Sequence, residues 1–164
     1  MKKLLTLLTA LCLFAMPLTA FAAPFYLEEA GVTIEVPEGM SAQDITDEYS
    51  FALQMTVDGR DDIAYVYALN YIEEYEGLWI EDLTDEQGQE LLEAYAEALE
   101  NPSFGAVEDE EMNYLLAASE DGTQLHYVAL LNGWVCDVAV AAAQPLSDDE
   151  ILLCAQLLKG ITFE

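Results

Sequence analysis

Positive charge is nearly absent from this sequence. Its 164 residues carry four Lys and Arg and one His against 32 Asp and Glu, a formal net charge of −28. A nucleic-acid backbone and an anionic membrane surface both need basic side chains to replace their counterions, so a chain of this balance repels them. Those two partner classes are excluded. Histidine is represented only by His126. With three cysteines, Cys12, Cys136 and Cys154, at no ligand spacing, the chain lacks the donor set of a zinc site. It also lacks the cysteine density of a disulfide scaffold. Five prolines and nine glycines are too few and too scattered to make a linker, and no repeat or low-complexity segment occurs.

What the chain does have begins with an export signal. Lys2 and Lys3 precede an apolar run from Leu4 to Met16, broken by Pro17 and followed by the small-x-small pattern Ala20-Phe21-Ala22. The run is too short to span a bilayer comfortably, and no basic stop-transfer flank follows it. This predicts a signal peptide over residues 1–22 and a single domain over 23–164. The product is expected to be secreted, extracellular or periplasmic, with no membrane association after cleavage. Both basic residues of the signal leave with it. All 32 acidic residues then face only Arg60 and Lys159, a net charge of −30.

Acidity of this kind often marks disorder, but a disordered tail lacks apolar bulk. Here 54% of residues are hydrophobic and 10% aromatic, which predicts a folded core. "GVTIEVPEG" (Gly31 to Gly39) alternates Val32, Ile34 and Val36 with Thr33 and Glu35, a half-buried strand stopped by Pro37. Residues 50–72 hold two alternating runs about a turn at Asp58-Gly59-Arg60-Asp61, a hairpin. Thr84 and Gln87 form a capping box, and Leu91, Leu92, Tyr95, Ala98 and Leu99 recur at helical spacing up to Asn101-Pro102.

Three strands then follow, joined at Asp121-Gly122 and Asn132-Gly133, turn signals of the type with positive φ at both positions. They predict that Leu131 opposes Trp134, Ala129 opposes Cys136, Tyr127 opposes Val138 and Leu116, and Ala118 opposes Leu125. One face carries Tyr114, Leu116, Leu125, Tyr127, Trp134, Cys136 and Val138. The other carries Ala117, His126, Val128, Asp137, Ala139 and Ala141. Neither face is polar, so both should be covered. The large residues would meet one helix, and the alanines would let another approach closely. A last helix opens with the Ser147–Glu150 capping box and the Leu146–Ile151 staple. It closes at Gly160, before a short strand or tail at Ile161 to Phe163.

The order of "GVTIEVPEG", a long middle helix, a meander and a closing "LSDDE…LLKGITF" resembles the PsbP-like α/β/α sandwich. Small secreted bacterial proteins of that kind often open with Gly-x-Ser/Thr-Ile-x-Val-Pro and close with a helix and Ile-x-Phe. The resemblance implies an antiparallel sheet between helices and an accessory, assembly or binding role. It implies no shared catalytic residue, so none is carried over. The expected fold is therefore α+β: a mainly antiparallel sheet of an N-terminal strand, a hairpin and a three-strand meander, sandwiched between two helices.

Candidate chemistry is sparse. His126 lies one diagonal step from Asp137, and the expected role of the pair is structural. Ser119 stands several residues away beside a turn, outside any nucleophile-elbow pattern. Calcium is the metal whose hard oxygen ligands suit this composition. The candidates are Asp58, Asp61 and Asp62 in one turn, and the run Glu108 to Glu111; neither matches an EF-hand. Cys136 and Cys154 both point to a sheet–helix interface, as buried thiols or as a bridge. Trp79, outside any clear element, is either a plug at the end of the core or an exposed binding anchor, and the plug is the expectation. No catalytic residue and no cofactor is predicted. The expected function is a secreted, acidic, non-enzymatic module with a protein or other ligand. The alternatives are a carboxylate-based hydrolase and a calcium-dependent interaction module.

Overall fold

A computed structural model describes residues 21–28, 31–48, 50–96, 99–108 and 112–163. Nearly all of the predicted signal peptide and residues 109–111 of the acidic run lie outside it, as does Ala98. Ten strands and two helices make up the described regular structure. They are β1 (Phe21–Leu27), β2 (Val32–Pro37), β3 (Met40–Asp44), β4 (Phe51–Val57), β5 (Ile63–Tyr71), α1 (Asp85–Ala96), β6 (Ser103–Val107), β7 (Tyr114–Ala118), β8 (Gln124–Leu131), β9 (Trp134–Ala142), α2 (Asp148–Lys159) and β10 (Ile161–Phe163). Two single 3₁₀ turns, Glu73–Tyr75 and Ile80–Asp82, stand between β5 and α1. The fold is α+β and mainly antiparallel, as the sequence predicts.

The strands form two sheets. Seven run in the order β3-β4-β5-β9-β8-β7-β6, and three in the order β1-β2-β10. The meander takes the predicted register: Leu131 opposes Trp134, Ala129 opposes Cys136, Tyr127 opposes Val138 and Leu116, and Ala118 opposes Leu125. The two turns differ in detail. Asn132 (φ 53°) and Gly133 (φ 88°) both adopt positive φ. A Cβ on Gly133 would stand 2.9 Å from the Tyr71 ring, so only glycine fits there. In the other turn Gly122 alone is positive. Asp121 instead accepts hydrogen bonds from the Ser119 hydroxyl and from the Thr123 amide and hydroxyl. The turn closes between Ser119 and Gln124, and the parity of the pairing is unchanged.

The large-residue face meets more than a helix. Cys154, Ala155, Leu157 and Leu158 of α2 are buried in one cluster with Tyr127, Cys136 and Val138 of the sheet and with Leu27, Val32 and Ile34. The predicted N-terminal strand therefore leaves the main sheet. After Pro37 the chain turns at Gly39 (φ 82°) into β3. β2 stays behind, paired with β1 and with the closing strand β10. The cover on this side is α2 and a three-stranded sheet together. Both capping boxes form: Ser147 with Glu150 on α2, and Thr84 with Gln87 on α1.

The second face is covered only in part. Leu91, Leu92 and Leu99 pack over Ala117, Val128, Leu130, Val135 and Leu115. Ala117 is the one predicted alanine that receives the helix, being fully buried. Ala139 is only half-buried and Ala141 is exposed. The expectation of complete cover fails there because α1 spans twelve residues and crosses the β7 end of the sheet.

Candidate functional site

The opening beside α1 starts with β6. Its residues "SFGAV" pair only with β7, which makes it an edge strand among the described residues. Phe104 opposes Ala117 and Ala106 opposes Leu115, so alternation puts both on the side where α1 lies. α1 does not reach over them. Phe104 is 45% exposed, one of five large apolar residues left in the open among the described residues. Between α1, the 3₁₀ turn at Ile80–Asp82 and β6 runs a groove of about 660 Å³. Leu83, Leu92, Phe104, Ala106 and Leu115 line its apolar part.

Gly88 lines the same groove from the helix. A glycine inside a helix costs about 1 kcal/mol relative to alanine, and usually something close by explains it. Here a Cβ would meet nothing within 4 Å. Packing does not require this glycine, and its missing side chain widens the groove. Four carboxylates complete the walls: Glu81, Asp85, Glu93 and Glu108. All four are exposed. Glu93 accepts a hydrogen bond from Gln89 Nε2 at 2.8 Å. None of the described residues that line the groove is basic.

The residues singled out in the sequence lie elsewhere. His126 and Asp137 do meet, with Nδ1 3.0 Å from Oδ2 and 3.1 Å from Oδ1. Asp137 is buried, and the Tyr95 ring of α1 packs on the imidazole with centroids 5.4 Å apart. Burial pushes the Asp137 carboxyl up, and His126 pulls it down by less. Ser119 is committed to Asp121 at 2.7 Å. Of the calcium candidates, Asp62 turns both oxygens to Arg60 at 2.8 Å. Asp58 accepts from the Ser41 hydroxyl at 2.9 Å. Among the described residues no group of three or more His, Cys, Asp or Glu is placed to hold a metal. Cys136 and Cys154 are fully buried and unbridged. Trp79 overturns its expectation as a core plug: it is 48% exposed, bridging the end of β8 opposite Leu131.

The architecture has a counterpart. The solution structure of cyanobacterial PsbP (CyanoP) from Synechocystis sp. PCC 6803 superposes with a TM-score of 0.58. The match covers 93% of this chain and 99% of that one, at 12% identity. This chain has a PsbP-like fold. Identity at this level shows shared architecture and carries no residue across. No family model and no curated protein matches the sequence. The groove was hidden from sequence reasoning. "SFGAV" is short and has small residues at three of five positions, and Gly88 reads as an ordinary helix imperfection. The one available signal was the unexplained glycine itself.

Proposed function

We propose that the chain is exported and acts outside the cytoplasm as an acidic, non-enzymatic module that binds a protein partner in the groove between α1 and β6. The observation that carries this reading is the combination of an exposed Phe104 with a helix glycine that packing does not require. Phe104 and Ala106 stand exposed beside a rim of four carboxylates, and an open-sided groove suits a macromolecule better than a small substrate. The accessory role implied by the PsbP-like fold agrees with it. The hydrolase alternative has weaker support. A general acid at neutral pH is normally made by burying a carboxyl, and all four groove carboxylates are exposed. Export rests on the Ala20-Phe21-Ala22 pattern, and an intact mass beginning at Ala23 would verify it.

The test uses the exported chain as bait in its native culture fluid, beside a Gly88→Leu variant. Leucine is a better helix former than glycine and has open space at this position, so the variant should fold and fill the groove. The wild type should retain a defined protein that the variant loses. Equal capture by both, or capture by neither, would refute the groove as a binding surface.

A further inference from the structure

We infer that the groove's occupant is an extended segment of a partner protein, bearing lysine or arginine, which adds to the sheet as a further strand on the edge of β6 that no described strand pairs with. The inference rests on the reading of the groove as the binding surface and specifies what fills it. Edge strands normally carry a device against unwanted pairing, such as an inward charge, a lysine, a proline or a bulge. Over Ser103–Val107 β6 has none of these, its five residues being bounded by Pro102 and Glu108, and its register with β7 is regular. The opposite edge, β3, ends in Asp44 instead. An edge strand with no charge, proline or bulge within it, beside an open groove, is the arrangement that strand addition uses: backbone hydrogen bonds hold the peptide, and alternate side chains read the cleft.

Charge decides the chemistry of those side chains. The carboxylates of Glu81, Asp85, Glu93 and Glu108 stand on the groove walls. Arg60 is already held by Asp62 and Glu150 at 2.8 Å, and Lys159 ends α2, on the other side of the sheet. Among the described residues no cation serves the groove. The aliphatic stem of a lysine or arginine can lie along Phe104 and Ala106 while its head group reaches the helix carboxylates. An acidic or purely apolar strand would leave these charges unmatched.

The probe is a labelled, alternating lysine–valine heptapeptide, read by fluorescence anisotropy with the full chain at physiological salt. Two N-methylated forms accompany it, one modified on every lysine and one on every valine. Both keep the charge. In a strand, alternate amides point to the same edge, so one form should lose binding roughly tenfold or more and the other should retain it. Gly88→Leu should weaken the parent peptide to a similar degree, and the amides of residues 104–107 should exchange more slowly in the complex. Equal binding of all three peptides, or equal binding to the wild type and Gly88→Leu, would mean only diffuse attraction to an acidic surface and would overturn the inference. So would no binding of the parent peptide. If the native partner is still lost by Gly88→Leu in any of these cases, only the strand proposal falls. If the bait also captures the same proteins with and without the groove, both readings fall.

Discussion

His126 on β8 and Asp137 on β9 form a diagonal pair, with Nδ1 3.0 Å from Oδ2, beneath the ring of Tyr95. Asp137 opposes Val128, and His126 opposes Ala139, so the contact crosses the ladder at a slant. Asp137 is 5% exposed. Burial holds its pKa above the ordinary 3.8 even with the imidazole beside it.

His126→Phe should keep a ring against Tyr95 while removing the partner of Asp137. Leaving a buried charge unpaired costs on the order of 3 kcal/mol. The sign of the pH dependence follows from the raised pKa. A carboxyl held above its unfolded value contributes stability below that value and loses it as pH rises through the folded one. Removing His126 raises the folded value further, so more is lost at neutral pH. The gap between wild type and variant should be large at pH 7 and narrow towards pH 4. Urea melts at the two pH values measure it, and a gap independent of pH would contradict an electrostatic role for the pair.

Tyr65 and Tyr67 present the opposite case. Both are fully buried in the main core, and neither hydroxyl has a hydrogen-bond partner among the described residues. Burial pushes both phenols up, so they stay neutral. A buried hydroxyl without a partner loses its hydration and gains nothing in return. Tyr67→Phe keeps the ring volume and deletes that cost. Its denaturation midpoint should stay level or rise, by up to about 1 kcal/mol in stability. A clear loss of stability would show that the hydroxyl is satisfied after all.

The meander register was legible because two independent turns, Asp121-Gly122 and Asn132-Gly133, imposed the same parity. The helices were legible because Thr84 with Gln87 and Ser147 with Glu150 announce their starts. β3 and β6 were not. "MSAQD" and "SFGAV" have one half-exposed face or both, so burial writes no alternation into them. The departure of β2 into a second sheet was also hidden. Val32, Ile34 and Val36 would be buried equally well in either. The groove depends on where α1 stops relative to the sheet edge, which is a tertiary relation that no local pattern encodes.

Cys136 and Cys154 share the α2-facing core, and both are fully buried. Burial pushes both thiols well above their ordinary value, and the thiolate is the species that reacts. A thiol reagent should therefore label the folded, reduced protein slowly, at the pace of unfolding, and the denatured protein at once. Rapid labelling of the native state would mean that one of the two faces is misassigned. Failure to label in denaturant without reductant would mean that a bridge had formed, as an oxidising compartment permits.

The last prediction concerns the charge of −30 on residues 23–164. Carboxylates crowded on one small surface repel each other and disfavour the compact state. Sodium chloride screens this, with a Debye length falling from about 10 Å at 0.1 M to about 3 Å at 1 M. The melting temperature should rise with salt whether or not a calcium site exists. A specific site predicts more. At a hundredfold its dissociation constant, a ligand adds roughly 2.7 kcal/mol, which for a domain of this size is a shift of several degrees. Magnesium, which demands a smaller octahedral site, should not reproduce it. The turn that carries the candidates argues for diffuse binding. Asp62 is held by Arg60 and Asp58 by Ser41, so a calcium ion would have to break both contacts to gather Asp58, Asp61 and Asp62. Calcium and magnesium should therefore act alike. A melting series in each ion, with chelator controls and ionic strength held constant, decides the matter. A calcium shift well beyond that of magnesium, saturating below about a millimolar, would replace diffuse screening with a specific site.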